Sequence, residues 1–387
     1  MIFRRTAPAA ALLALGLVVA ACGADDDPEA DRPSPTRTSA TATGSGSPSD
    51  PSSERPSVRP DGAPDVVATA ATGLDTPWGL DFLPGGRAIV TERDTARVLL
   101  IDPPRGDAPG AVVEAGTIPE VVAEGEAGLL GVAVSPDFAD DRLVYFYVCT
   151  ADDNRVVRAT LDGDELGAPE PILTGIPNGF IHDGGRLAFG PDGMLYVSTG
   201  ETGESSLARD RSSYAGKILR ITPDGDAAPG NPFGTEVWSW GHRNIEGLAF
   251  DDADRLWASE FGQDAFDELN LIRKGDDYGW PDVEGEGGTQ QGYVDPQLTW
   301  SVDEASPAGL AYAGGYLWMA ALRGERLWRI TVDGANASEP TAFLTGELGR
   351  LRTVEVAPDG TLWLTTSNND GRGVPGPDDD RILVLDP

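Results

Sequence analysis

The stretch Leu187-Ala188-Phe189-Gly190-Pro191-Asp192-Gly193-Met194-Leu195-Tyr196-Val197 reads as two short strands joined by a Pro-Asp-Gly turn, and a third run, Lys217-Ile218-Leu219-Arg220-Ile221, follows after a loop. Short apolar or β-branched runs bounded by Gly, Pro and Asp are strand signals. The same unit recurs along the chain. Earlier copies begin at Gly79-Leu80-Asp81-Phe82 and Gly131-Val132-Ala133-Val134. Later copies begin at Gly247-Leu248-Ala249-Phe250, Gly309-Leu310-Ala311-Tyr312 and Val354-Glu355-Val356. Taking Leu80, Val132, Leu187, Leu248, Leu310 and Val354 as equivalent gives intervals of 52, 55, 61, 62 and 44 residues. A repeat of this length holds three or four strands, the size of a propeller blade. Six such units close a ring with no long open edge. The expected fold is all-β, a six-bladed β-propeller of four-stranded antiparallel blades. A β-helix would show a much shorter period, and a β-sandwich fewer and less uniform repeats. Forty-nine glycines and thirty-one prolines suit a chain built from turns.

Outside the repeats, the N-terminus carries Arg4 and Arg5, then an apolar run from Ala9 to Ala21. Thirteen residues are too few to span a bilayer, which needs ~20, and the run has the build of a signal peptide. It ends in Val19-Ala20-Ala21-Cys22, which resembles the bacterial lipoprotein signal and implies acylation at Cys22. Residues 1–21 are therefore expected to be a lipoprotein signal. Residues 22–61, rich in Ser, Thr, Pro and Asp without an aromatic residue, are expected to form a disordered stalk. Residues 62–387 would form the propeller, outside the cytoplasm and tied to the membrane only through the lipid. Cys149, the one other cysteine, follows an apolar run and reads as a buried, inert thiol, so no disulfide framework exists. The formal net charge of −34 argues against a nucleic-acid partner, whose phosphates are bound by Lys and Arg.

The chain has two histidines, His182 and His242, each in a polar, glycine-rich segment between blade strands. Loops of this kind often carry function. Ile181-His182-Asp183-Gly184-Gly185-Arg186-Leu187, Gly190-Pro191-Asp192-Gly193, Gly241-His242-Arg243-Asn244 and Glu268-Leu269-Asn270-Leu271-Ile272 occur in this order, with Tyr278-Gly279-Trp280-Pro281 and Gly128-Leu129-Leu130-Gly131. Together they resemble the soluble quinoprotein glucose/aldose sugar dehydrogenase family, over about Thr76 to Leu385. That resemblance implies a propeller holding pyrroloquinoline quinone (PQQ) and Ca²⁺, which oxidises an aldose at C1 to the lactone.

On the same resemblance His182 is the general base, a role that suits imidazole chemistry. Glu201 stands where an aspartate often orients that histidine. Arg243 and Asn244 would meet the quinone and its carboxylates, Arg243 also stabilising charge on the reduced oxygen. Arg350 and Arg352 match a cofactor-binding pair, and Arg323 falls where a lysine is common. Guanidinium groups grip carboxylates in bidentate fashion, and the cofactor has three. Glu126, in place of a frequent glutamine, and Asp183 are expected beside the substrate. Carbonyls of Gly262 and Gln263 would hold the cofactor's calcium, although Phe261-Gly262-Gln263 departs from the usual His-Gly-Pro. Glu268 and the Tyr278 carbonyl would hold a second, structural ion. Thr353 stands where an aspartate is usual. A short turn between Tyr312 and Tyr316 is expected to leave the sugar pocket open and the aldose specificity broad. The sugar, the electron acceptor, and the choice between monomer and homodimer stay open. Two other readings share the architecture: a non-catalytic carbohydrate- or protein-binding propeller, and a calcium-dependent lactonase.

Overall fold

Residues 62–387 are described by a computed structural model of the chain; the signal segment 1–21, the acylation site Cys22 and the stalk up to residue 61 lie outside the described residues. The propeller is six-bladed and antiparallel throughout, with four strands per blade and a two-residue fifth strand on blade 2. Innermost strands are Pro77–Phe82, Leu129–Val134, Leu187–Phe189, Asn244–Phe250, Pro307–Ala313 and Leu351–Val356. All six residues used to align the repeats lie on them. Each packs beside its neighbour, and blade 6 meets blade 1 to close the ring.

A physical reason for the repeated Gly-Leu pair emerges from that packing. A Cβ on Gly79 would meet the Leu130 carbonyl at 2.7 Å, and one on Gly309 would meet the Thr353 Cα at 2.7 Å. Glycine at these positions lets adjacent inner strands approach backbone to backbone. In five blades the register between first and second strands shifts near the start of the inner strand, as between Ile245 and Gly247. Bulges at such places re-aim side chains towards a central site.

Blade 6 takes its outermost strand from the other end of the fold: Asp65–Ala71 pairs antiparallel with Ile382–Asp386. Apolar clusters fill the spaces between blades, with Trp78, Trp257 and Trp318 among the largest fully buried side chains. Cys149 is buried as expected, and burial pushes its thiol well above the ordinary range. No described helix is long and apolar enough to cross a membrane.

Candidate active site

The starts of the six inner strands, and the loops leading into them, converge on a cavity of about 420 Å³. That lies within the usual range for small-molecule sites, ~300–1,000 Å³. Its floor is Trp78, with the Arg186 guanidinium 4.4 Å from one indole face and Arg352 at 5.8 Å. Arg186 also donates to the Glu246 carbonyl (2.8 Å) and to the Thr353 hydroxyl (3.0 Å), while Thr353 donates to the Trp78 carbonyl (2.5 Å). The unexpected threonine thus ties blades 1, 3 and 6 together beneath the cavity. A second cavity of about 400 Å³ opens at the other end of the channel.

His182 is on the wall of the first cavity, in the left-handed region at φ 59°. Such a conformation costs energy for a non-glycine residue and persists only where its surroundings enforce it. Here Glu126 Oε2 accepts the His182 amide (2.8 Å), and the His182 carbonyl accepts the Thr202 amide (3.2 Å). On the ring, Nδ1 is hydrogen-bonded to Glu201 Oε1, and Nε2 lies 3.0 Å from Arg243 Nη2. A carboxylate only accepts and a guanidinium only donates. The partners therefore assign the proton to Nδ1 and leave the Nε2 lone pair to accept from Arg243 on the cavity wall. Glu201 is buried, and its backbone amide donates to the Arg243 carbonyl (2.8 Å), so base, orienting carboxylate and arginine form one unit.

His242 has a different task. It is fully buried, stacks on Tyr278 at 4.6 Å, and bonds Ser239 and Glu260 at 2.9 Å each. It is a structural histidine that fixes Glu260, whose other oxygen accepts the Arg243 amide (2.6 Å).

Six guanidinium groups line the cavity: Arg93, Arg243, Arg323, Arg350, Arg352 and Arg372. In a chain with 29 basic and 63 acidic residues, that is a local reversal of sign. Arg352 donates to Glu246 (2.7 Å), and Arg350 to Asp370 (2.8 Å), which also lies 3.7 Å from Arg352. Burial holds the Arg243 and Arg352 guanidiniums below their ordinary pKa. Arg243 Nε is buried with no hydrogen-bond partner. Arg323 stands at the rim, 61% exposed and paired with Asp303 at 2.5 Å. Asn244 Oδ1 accepts the Gly184 amide (3.0 Å), binding the histidine loop to blade 4.

Gly262 and Gln263 also border the cavity. Their amides are taken by Asp267 (2.9 Å) and Glu284 (2.6 Å), which fixes the loop. Glu268 and Tyr278 lie outside the main cavity. With Glu260, Glu284, Arg243 and Gly262 they border an adjoining space of about 10 Å³, roughly the room of one water or ion. Burial, with Glu260 nearby, raises the Glu268 carboxyl to about 8. Among the described residues, no group of three or more His, Cys, Asp or Glu is arranged to hold a metal.

Two expectations are corrected. Asp183 borders the cavity, but its Oδ1 accepts from Asn154 (2.9 Å) and the Gly179 amide (3.1 Å), and its Oδ2 is enclosed without a partner. It braces the histidine loop rather than presenting an oxygen to a sugar; burial raises it to about 6. Tyr312 lines the opposite mouth of the channel, so the short turn to Tyr316 has no bearing on the site around His182. Sequence reasoning missed Arg93, Glu246, Asp267 and Arg372. Asp267 adjoins a quoted motif, and strand alternation places it on the cavity side while Glu268 faces the neighbouring space. Arg93 and Arg372 lie outside every motif, and nothing local marks them.

Fold and cavity together define a class: a six-bladed propeller whose central hollow sets a carboxylate-held imidazole among guanidinium groups. The chain belongs to the glucose/sorbosone dehydrogenase family, whose pattern it matches over residues 74–375. A solved structure of the PQQ-bound aldose sugar dehydrogenase from Streptomyces coelicolor is 56% identical, with a TM-score of 0.81, covering 84% of this chain and 98% of that one. An aldose sugar dehydrogenase of Escherichia coli is 30% identical over 336 residues, covering 77% of this chain and 89% of that protein. The quinoprotein glucose dehydrogenase B of Acinetobacter calcoaceticus is 33% identical over 251 residues, 55% of this chain and 52% of that protein.

Proposed function

We propose that this protein oxidises aldose sugars at C1 to the lactone, using PQQ and calcium in the cavity around His182. The observation that carries the reading is His182 itself: an imidazole whose Nδ1 is held by buried Glu201 and whose Nε2 meets Arg243 on the wall of an arginine-lined hollow. A flat tricarboxylate suits six guanidiniums, a cavity of about 420 Å³ and the unpartnered Arg243 Nε. Arg243, Asn244, Arg350 and Arg352 would hold it, with Arg323 at the rim, and the carbonyls of Gly262 and Gln263 would face its calcium. The Glu268–Tyr278 space would take a second ion. Bound there, the quinone supplies the two-electron acceptor for the hydride of the anomeric carbon.

The chain's own residues do the rest. His182 Nε2 removes the anomeric hydroxyl proton, the step that lets the C1–O bond become a carbonyl. Glu201 keeps the ring in the required tautomer and balances the imidazolium that forms. Arg243 would stabilise the negative charge that a bound acceptor gains on reduction. Glu126, held between the His182 amide and Arg372, would accept from a sugar hydroxyl. The lactonase reading would need acidic side chains from several blades on one metal, and among the described residues no group of three or more His, Cys, Asp or Glu is so arranged. Export and acylation at Cys22 rest on the sequence alone, and intact mass after expression in a bacterial host tests them. For the activity, apo-protein should reduce a dye with aldoses only after PQQ and calcium are added. His182→Ala should abolish turnover while keeping cofactor. Silence across a panel of mono- and disaccharides, or cofactor binding as weak in the wild type as in unrelated protein, would refute the assignment.

A further inference from the structure

At the far mouth of the channel, beyond the layer of Trp78, Arg186 and Thr353, the second cavity of about 400 Å³ is walled by the inner strands of all six blades. Its chemistry follows from the repeat. In the residue after each aligned aliphatic, blades 2 to 5 carry Ala133, Ala188, Ala249 and Ala311, whereas blades 1 and 6 carry Asp81 and Glu355. Those two blades are the neighbours that close the ring. Four alanines show that packing at this level of the repeat needs only a methyl group. Two carboxylates on adjacent blades therefore stand in a hollow whose other walls are mainly apolar, with Leu187, Leu248 and Phe250 among them.

The two acids are held differently. Asp81 Oδ1 accepts the Phe82 amide (2.6 Å) and Oδ2 the Val134 amide (2.7 Å), so this side chain also fastens blade 1 to blade 2. Among the described residues, the Glu355 carboxylate accepts one hydrogen bond, from the Val356 amide at 3.2 Å, and pairs with no cation. A carboxylate has room for about four such bonds. Arg186 borders the cavity, but it directs Nε to the Glu246 carbonyl and Nη2 to the Thr353 hydroxyl. The remaining titratable group of the wall, the Tyr312 hydroxyl, donates to Asp252 at 3.2 Å. Burial raises Asp81 to about 6, and burial with Asp81 nearby raises Glu355 to about 8. A positive charge in the hollow would relieve that repulsion and supply the missing partner. A bare metal ion suits the place less, because Ca²⁺ takes about 6–8 oxygen ligands and three of these four carboxylate oxygens already hold backbone amides. An ammonium group on an apolar body uses both the free oxygen and the apolar wall. We propose that this cavity binds a small organic cation, an ammonium on an aliphatic or aromatic body, with Glu355 as its counter-charge and Asp81 beside it. This site is independent of the sugar oxidation proposed above.

The test is calorimetry of the full chain, with PQQ and calcium added to fill the first cavity, titrated with benzylammonium chloride at about pH 8.5, where Glu355 is mostly ionised. Benzyl alcohol serves as the same body without the charge, and further calcium chloride as the ion alone. One amine should bind per chain. A charged hydrogen bond is typically worth roughly tenfold or more in affinity, so Glu355→Ala, which matches the residue of blades 2 to 5, should weaken the amine by about that factor. Glu355→Gln keeps the shape of the side chain, guards against a repacked hollow, and should lose as much. Benzyl alcohol should bind more weakly than the amine by a similar factor. At about pH 6 the proton on Glu355 should weaken the amine likewise. Absence of amine binding to the wild type at millimolar concentration would overturn the site. So would equal affinity in wild type and both variants, or benzyl alcohol binding as tightly as the amine. Displacement of the amine by calcium would make the hollow a metal site and refute the organic-cation reading.

Discussion

Replacing Arg352 separates two roles that one side chain combines. Its guanidinium is 6% exposed, donates to Glu246 at 2.7 Å and to Ser367 at 3.2 Å, and lies over Trp78. Glu246 is buried too, and among the described residues its carboxylate has one other side-chain hydrogen-bond partner, Asn244 at 3.4 Å. In Arg352→Met the stem volume is kept, but Glu246 is left as an uncompensated buried carboxylate. Breaking such a pair from one side costs about 3–5 kcal/mol, which in a domain of this size corresponds to roughly 4–7 °C in Tm. The double variant Arg352→Met/Glu246→Leu removes both charges, and apolar replacement of a buried pair is often neutral, so most of that loss should return. Cofactor binding should not return. A charged hydrogen bond to a PQQ carboxylate is worth about 1.5–3 kcal/mol, so Kd should rise by about 10- to 150-fold in both variants. Thermal melts of apo-protein and spectral titration with PQQ measure the two effects separately. A single variant melting within a degree of wild type would refute the buried-pair argument, and a double variant with wild-type PQQ affinity would remove Arg352 from the cofactor site.

Glu201→Gln should lower kcat by about 100-fold or more while leaving PQQ affinity within about twofold, because the neutral amide no longer balances the imidazolium; Glu201→Asp should recover much of the loss, and equal damage from both would point to a merely structural role. Glu355 lies at the far mouth of the channel, where burial first and Asp81 second raise its carboxyl to about 8. A folded pKa above the unfolded value means the native state holds the extra proton, so this group's contribution to stability falls as pH rises from about 5 to 8. Melting curves should therefore decline less over that window in Glu355→Gln than in wild type, and parallel declines would contradict the assignment. Lys217 Nζ is buried and donates to the carbonyls of Leu207, Ala208 and Ala215 at 2.9, 3.1 and 2.6 Å, holding the loop that follows Glu201. Lys217→Ala strands those acceptors and should cost about 2–4 kcal/mol, measurable by urea denaturation; a change below about 0.5 kcal/mol would show that the loop holds without it.

The inner strands were legible because close approach around the channel demands glycine followed by a buried aliphatic, as at Gly79-Leu80 and Gly309-Leu310. Outer strands were not, since they face solvent on one side. Val112–Thr117 alternates without a strong apolar pattern, and Asp65–Ala71 serves the last blade from the beginning of the domain, a pairing no local signal announces. At the site, motif order singled out both histidines, but only burial distinguishes His182 on the cavity wall from His242 sealed behind Tyr278. Asp183 looked like a substrate contact because it adjoins the base; the fold turns its carboxylate inwards to Asn154. Arg93 and Arg372 reach the cavity from segments far apart in the chain, so their convergence is a property of the closed ring alone.

Titrating apo-protein with PQQ, with calcium and then with a chelator, addresses the central assignment most directly. The arginine cluster and the Gly262–Gln263 loop predict saturation at one quinone per chain, an altered quinone spectrum, and much weaker binding once calcium is removed. A spectrum that stays that of free quinone under all conditions would mean that the guanidiniums around His182 serve some other ligand.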